Sequence, residues 1–374
     1  MSGIYIHIPF CKSKCAYCDF YSVVDRGMAG ELVAAVAREA AMRREELDGD
    51  AVKTLYIGGG TPSQLSQEHI GKIVEAIGEN YDFNLLQEFT IEVNPDDVTS
   101  GYIAGLASTG VNRVSMGAQS FVDAELAAIG RRHDAEGAVR AIEAIREAGI
   151  SNLSIDLIYG LPGQTLPSWR KSLETACGLK PEHISCYCLS YEPGTKLHYM
   201  RDKGIIKECD EDDCVAMFKA ALEVLGGNGY EHYEISNFCK PGMYSAHNLG
   251  YWNGAKYLGL GPGAHSYDGA SRSANVANLS RYIRLISNGA PACERETLSA
   301  GERYDEHVML GLRTRWGVSV SEIRAKFGDA MAEHFLAEAG RYTRSGRMES
   351  RGDRYVLTER GVMVADMIIR DVML

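Results

Sequence analysis

Six short apolar runs, separated by stretches of helical periodicity, fill the first half of this chain, and that alternation restricts the fold more than any other feature. The runs are Ile4–Ile8, Val52–Ile57, Glu88–Val93, Arg113–Gly117, Asn152–Ile158 and His183–Tyr187. Between them, Leu32, Val36 and Ala40 recur at helical spacing. Ala138, Ile142 and Ile145 mark the inner face of another helix, which Asp134 can cap and Gly149 can stop. Strands that alternate with helices build a parallel sheet, because each return to a parallel neighbour needs a crossover. The expected fold is α/β, a partial (β/α) barrel, with an open doubly wound sheet as the alternative.

Beyond residue 190 the alternation fades. Asp210–Leu225 reads as an amphipathic helix, His232–Ile235 as one more strand, and Ser236–Gly269, rich in Gly, Asn, Tyr and His, as loop. From Ser299 onward come three helical segments and a hairpin, Arg347–Glu349 turning through Arg351-Gly352-Asp353 into Arg354–Leu357. That order resembles a small, helical, winged-helix-like C-terminal domain. Its 12 basic and 12 acidic residues balance, which argues against DNA binding. The expected division is a core over 1–235, a loop-rich connecting region over 236–298 and the C-terminal domain over 299–374.

A net charge of −11 leaves no electrostatic footprint for nucleic acid or an anionic membrane. No apolar run approaches the length of a membrane span, and Met1-Ser2-Gly3-Ile4 carries no secretion pattern, so a cytoplasmic protein is expected. Seven of the ten cysteines (177, 186, 188, 209, 214, 239 and 293) are scattered, and most of them read as small buried hydrophobes.

The other three, Cys11, Cys15 and Cys18, share one loop directly after the first strand. Thiols at C-x3-C-x2-C spacing can converge on a [4Fe–4S] cube, and three protein ligands leave one iron open. A zinc knuckle is the competing reading, but it wants a fourth Cys or His at paired spacing, and no second C-x2-C exists.

Further polar residues lie at or beyond the strand ends, where ligands bind in such folds. Gly58-Gly59-Gly60-Thr61-Pro62 lacks the Lys-Ser/Thr ending of a phosphate loop and the spacing of a dinucleotide fingerprint. Its glycines still allow a backbone to approach a ligand closely. Glu92 and Asp156 are carboxylates in core-like strands and need hydroxyl, amine or guanidinium partners, such as ribose hydroxyls or an amino-acid ammonium. Gln119 and Arg131 follow the fourth strand. Far downstream, His247-Asn248-Leu249-Gly250-Tyr251-Trp252 is either an aromatic loop packed on the barrel or a histidine with aromatic faces able to grip a porphyrin.

Taken together, these motifs resemble the oxygen-independent coproporphyrinogen III oxidase family of radical S-adenosylmethionine (SAM) proteins, and within it the haem-chaperone branch. The resemblance covers nearly the whole chain, through the cysteine triad, Gly58–Pro62, Glu92-Val93-Asn94-Pro95, Gly117-Ala118-Gln119-Ser120, Asp156–Pro162 and His247–Trp252. It implies the radical SAM type of partial barrel, a [4Fe–4S] cluster on Cys11, Cys15 and Cys18, and SAM chelating the open iron. SAM contacts then fall on Tyr5, Tyr17, Gly59, Gly60, Thr61, Glu92, Gln119, Arg131 and Asp156. The branch carries an H-N-x-x-Y-W motif implicated in haem binding, matched here at His247, Asn248, Tyr251 and Trp252, with His247 the chemically natural iron ligand.

Two departures separate the chain from the oxidases. They have a further cysteine where this chain has Phe20, and an N-terminal extension where this chain begins its first strand at Ile4. The expected function is a haem chaperone that passes haem to an acceptor protein, a membrane-bound one among the options, with flavodoxin or ferredoxin as electron donor. Oxidative decarboxylation of coproporphyrinogen III by radical SAM chemistry is the alternative, and a zinc-stabilised binding module is the third reading. The resemblance leaves open whether the chain is an enzyme.

Overall fold

The computed structural model describes residues 2–374. Strands Ser2–Ile8 (β1), Val52–Gly59 (β2), Glu88–Val93 (β3), Arg113–Gln119 (β4), Asn152–Tyr159 (β5) and His183–Cys188 (β6) match the six expected runs to within two residues at each end. They pair in parallel and in sequence order, β1 to β6. Right-handed crossovers that always step the same way leave the helices between β1 and β6 on one face of the sheet. A doubly wound sheet would reverse direction at a switch point, and this one does not.

The strands show why one face takes the helices. Ile4, Ile6 and Ile8, then Leu55 and Ile57, Phe89 and Ile91, Val114 and Met116, and Leu153 and Ile155 are buried in the main core. That core also holds Leu32, Val36, Ile73, Ile142, Ile145 and Leu173 from the covering helices. Side chains alternate across a strand, so the other face carries Tyr5, His7, Thr54, Tyr56, Glu88, Thr90, Glu92, Arg113, Ser115, Ser154, Asp156, His183 and Ser185. The interior of the curved sheet is polar. Helix Ala135–Glu147 illustrates the local rules: Asp134 Oδ1 accepts the Gly137 N–H at 2.7 Å, and Ala138, Ala141, Ile142 and Ile145 form its buried face.

The sheet is larger than the six runs. Glu231–Glu234 (β7) and Asn237–Cys239 (β8) add antiparallel beside β6, while Tyr257–Leu260 (β9) pairs in parallel with β1. His265–Tyr267 (β10), Ser271–Asn275 (β11) and Cys293–Thr297 (β12) continue antiparallel from β9. The order β12-β11-β10-β9-β1-β2-β3-β4-β5-β6-β8-β7 leaves both edges unpaired to each other, giving an open, partial barrel. Residues 236–298, expected to be mostly loop, thus extend the sheet on both sides and add helices Ala246–Trp252 and Leu279–Ser287. Strands of three to five residues are too short for alternation to register.

The C-terminal segment has its own core around Tyr304, Val308, Leu312, Ile323, Phe335 and Ile368. Helices Ala300–Leu312, Val320–Phe327 and Asp329–Arg344 precede the hairpin Met348–Arg351 (β14) and Arg354–Leu357 (β15), with Val318–Ser319 (β13) completing a small sheet. The three-helix-plus-wing order is the expected one, followed by the helix Ala365–Val372. Among the described residues no helix is long and apolar enough to cross a membrane.

Inside the barrel, Arg113 is 1 % exposed, and its Nε lies 4.0 Å from Glu88 Oε2. The same Glu88 carboxylate accepts the N–H groups of Ala246 (2.7 Å) and His247 (3.1 Å) at the start of their helix. Removing one partner of a buried pair leaves the other charge uncompensated, which costs about 3 kcal/mol or more. We expect Glu88→Ala to destabilise by that amount in urea unfolding, against about 1 kcal/mol for loss of the Asp134 cap in Asp134→Ala.

Candidate functional site

The loop carrying Cys11, Cys15 and Cys18 is tied down on both sides. Cys11 N–H donates to Val23 O at 2.9 Å, Val23 N–H to Pro9 O, Ala16 N–H to Ile129 O, and Leu197 N–H to Ala16 O. Beneath it Ala16, Ile129, Ile158, Leu161, Tyr191 and Leu197 form a small apolar cluster. All three thiols are free and line one cavity of about 440 Å³ at the carboxyl ends of the strands. Among the described residues, no three Cys, His, Asp or Glu side chains are grouped as ligands of a single ion. The thiols therefore border a volume rather than close on a point.

Every residue named from sequence as a SAM contact also lines this cavity, except Tyr5. The glycine turn sits against the cysteine loop: a Cβ on Gly60 would lie 2.8 Å from the Pro9 carbonyl carbon, and its N–H donates to Ile8 O at 2.8 Å. Gly59 has φ of 113° and donates its N–H to Glu92 Oε2 at 3.0 Å, so only glycine fits there.

A chain of hydrogen bonds then joins two of the cysteines. The Thr61 hydroxyl donates to Cys11 Sγ at 3.5 Å and accepts from Asn94 Nδ2 at 3.1 Å. Arg131 donates through Nη2 to Asn94 Oδ1 (2.7 Å) and Gly117 O (2.6 Å), and through Nη1 to Cys15 Sγ (3.5 Å). Donors aimed at sulfur favour the thiolate, the form that binds metal. Burial holds the Cys18 thiol up at about 11, so ligation there must displace a proton. Among the described residues lining this cavity, three buried polar atoms remain without partners: Ser22 Oγ, Arg131 Nε and Gln119 Oε1, the last on a residue held at φ of 67°. Buried polar atoms left unpaired beside a cavity are suited to a polar ligand within it.

Glu92 and Asp156 form the cavity floor. Glu92 Oε1 accepts the Tyr56 hydroxyl at 2.7 Å, and Asp156 Oδ2 accepts the Ser115 hydroxyl at 3.2 Å. Burial raises both carboxyls, Glu92 from 4.5 to about 7, with Asp156 adding to the rise and Tyr56 opposing it. Asn94, Arg113 and Ser115 were not singled out as site residues from sequence. Ser115 shares the inward period-two row with Asp156, and Asn94 stands just past its strand, so both left a readable signal. The expectation that most scattered cysteines are buried holds only for Cys186 and Cys239: Cys177, Cys209, Cys214 and Cys293 are half-buried, and Cys188 is exposed and lines the cavity.

The His247 motif lies on the helix Ala246–Trp252, capped by Ser245, and reaches into the barrel from its other end. His247 is 3 % exposed. Its Nδ1 pairs with Thr54 Oγ1 at 2.9 Å and its Nε2 with the Tyr251 hydroxyl at 2.8 Å, and the ring stacks on Tyr56 at 5.0 Å. Burial, with the Arg113 charge adding, lowers its pKa to about 3, so it is neutral. Tyr5, beside it, shares a hydrogen bond of 3.2 Å with His7. Tyr5 and Tyr251 line a second cavity of about 690 Å³, and Asn248 and Trp252 are half-buried and border neither cavity. The two cavities meet along Asp19 and Phe20, immediately after Cys18.

Comparison with known proteins adds family context to this geometry. Residues 5–176 match the family model of the Radical SAM superfamily, and residues 298–364 match that of the HemN C-terminal domain. The chain is 35% identical to the heme chaperone HemW of Bacillus subtilis over 98% of both chains. It is 37% identical to the heme chaperone HemW of Lactococcus lactis, over 87% of this chain and 85% of that one. Identity is 33% with the mitochondrial radical S-adenosyl methionine domain-containing protein 1 of Mus musculus, over 85% of this chain and 74% of that one. Among solved structures, coproporphyrinogen III oxidase (HemN) of Escherichia coli superposes with a TM-score of 0.86 at 24% identity, over 100% of this chain and 90% of that one, which establishes a shared fold.

The raised Glu92 pKa has a consequence for stability. An acid whose folded pKa exceeds its unfolded one binds more protons when folded. Its contribution is therefore full below 4.5 and is lost as pH rises through about 7. In the ligand-free protein, Glu92→Gln should flatten the fall in melting temperature over that window, with Glu234, which burial also raises to about 7, retaining the remainder.

Proposed function

This chain belongs to the HemW family within the radical SAM superfamily, and from that membership we propose that it is a haem chaperone with a SAM-liganded [4Fe–4S] cluster, handing haem to an acceptor protein. The observation that carries the cluster and SAM assignment is the first cavity, which three free thiols border together with the unpartnered Gln119 Oε1 and Arg131 Nε. Cys11, Cys15 and Cys18 are the proposed cluster ligands.

When bound, a cluster with an open iron supplies an electron to a sulfonium cofactor. The chain's own residues do the holding. Gly59, Gly60 and Thr61 bring backbone close to the ligand. Glu92 and Asp156 accept hydrogen bonds from ribose hydroxyls or an ammonium, and Gln119 and Arg131 complete the polar wall, with Tyr17 beside the cysteines. Arg131 and Thr61 steady the thiolates through their bonds to sulfur. Tyr5 lies outside the cavity; burial, with the Glu92 charge adding, raises its phenol well above the usual value, so it stays neutral beside the site.

The haem side of the reading rests on the second, aromatic cavity adjoining the cluster loop. In this reading residues 1–235 carry the cluster and SAM, residues 236–298 the haem-binding and connecting region, whose His247, Asn248, Tyr251 and Trp252 motif meets the cavity through Tyr251, and residues 299–374 the C-terminal domain. Tyr251 reaches that cavity directly. His247 could ligate iron through Nε2 only by giving up Tyr251, or through Nδ1 only by giving up Thr54, and a buried group left unpaired costs about 1–3 kcal/mol. The proposal extends to a cytoplasmic location, a membrane-bound haem acceptor and a flavodoxin or ferredoxin electron donor.

The test is anaerobic. The full chain is reconstituted with iron and sulfide and supplied with SAM, haem and coproporphyrinogen III. We expect a brown cluster chromophore that Cys15→Ala abolishes, saturable haem uptake, and no protoporphyrinogen. Turnover of coproporphyrinogen III would overturn the chaperone reading in favour of the oxidase, and stoichiometric zinc without a chromophore would favour the zinc-bound module.

A further inference from the structure

The second cavity is walled by aromatic faces, among them Tyr5, Phe20, Tyr251, Tyr257 and Tyr267. Tyr251 and Tyr257 meet edge to face at 4.6 Å. About 690 Å³ is within the range of sites that enclose a small molecule, and flat aromatic walls suit a flat macrocycle. Besides these walls it has two histidines, His7 and His265.

They differ in what their ring nitrogens do. His7 is 5 % exposed, with Nδ1 bonded to the Tyr5 hydroxyl at 3.2 Å and Nε2 to Tyr21 O at 2.9 Å. His247, behind the wall, is likewise paired at both nitrogens. His265 is exposed, and among the described residues neither of its ring nitrogens has a hydrogen-bond partner. A metal can be bound there without first breaking a bond.

Its backbone is nonetheless fixed. A Cβ on Gly259 would lie 2.0 Å from His265 O, so strand β10 rests directly on β9. Directly across the antiparallel pair stands Ala274, which also lines the cavity and leaves open the space beside the imidazole. A ligand on a strand is held more firmly than one on a loop.

We propose that His265 is the axial iron ligand of a haem seated in this aromatic cavity, with the His247–Tyr251 pair supporting the wall rather than binding iron. The inference rests on the haem-chaperone reading and names the ligand that the reading leaves open. Among the described residues Arg272 is the one cation of the rim; it is already paired with Glu306 at 2.7 Å, and Asp19 adds a second carboxylate. Such a rim offers no unpaired cation to a propionate, which would be better placed in solvent. The cavity that would hold the haem borders the cluster cavity along Asp19 and Phe20.

The test titrates the full-length, cluster-loaded protein anaerobically with ferric haem and, separately, with metal-free protoporphyrin. Binding is read by difference absorption and the ferric signal by electron paramagnetic resonance. His265→Ala should lose the nitrogen-ligated signature and weaken haem binding by more than about tenfold, the loss that removing even an outer partner of a metal ligand produces. Its affinity for the metal-free porphyrin should be unchanged. His265→Met should retain tight haem binding with an altered spectrum, since a thioether replaces the imidazole. His69→Ala, on a helix away from the cavity, should match the unaltered protein. An unchanged haem spectrum and affinity in His265→Ala would overturn the assignment. Loss of the nitrogen signature in His247→Gln alone would return the role to His247. Absence of any haem uptake by the unaltered protein would instead sink the chaperone reading beneath it, and the two failures are thereby told apart.

Discussion

A single guanidinium, Arg113, sits sealed inside the curved sheet, and the arrangement of this protein's polar interior follows from the need to neutralise it. A buried charge is tolerated only with partners. Glu88 answers it from the neighbouring strand at 4.0 Å, and Thr90 accepts from it at 3.4 Å. Its field lowers the carboxyl pKa of Glu92 and Asp156 against their burial, and it helps keep His183 and His247 uncharged. Because Glu88 also receives the first N–H groups of the helix Ala246–Trp252, the same charge pair closes one end of the barrel with a segment distant in sequence. The open end is left for chemistry.

That polar interior explains what could and could not be read in advance. Parallel strands covered on both faces usually run continuously apolar. Here the outward row, Ile4-Ile6-Ile8 and its counterparts, was apolar enough to reveal all six strands, and Glu92 and Asp156 stood out because carboxylates in such strands demand partners. The cysteine loop and glycine turn were legible for the same reason, as unusual residues at strand ends. Hidden were the contacts set by long-range pairing. Strand β9 lies on β1, joining Gly3 to Tyr257, and no local pattern announces that. His265 passed unnoticed because it lies in a three-residue strand within a stretch that reads as loop. His247 was conspicuous in sequence, yet its burial depends on Thr54, which only the fold brings to it.

Family membership and geometry contribute different things. The match over nearly the full length to heme chaperones gives the family; the shared fold with the coproporphyrinogen oxidase gives only the scaffold. What separates roles on a common scaffold is local chemistry. Here that means the hydrogen-bond chain Thr61–Asn94–Arg131 linking two cysteines to three strand ends, and a neighbouring aromatic chamber.

Phe20 belongs to both chambers and packs into neither, with 64 % of its surface exposed. A side chain that is wall to two volumes sets the width of both openings at once. The partition between the chambers runs through Asp19 and Phe20, within two positions of the third cysteine.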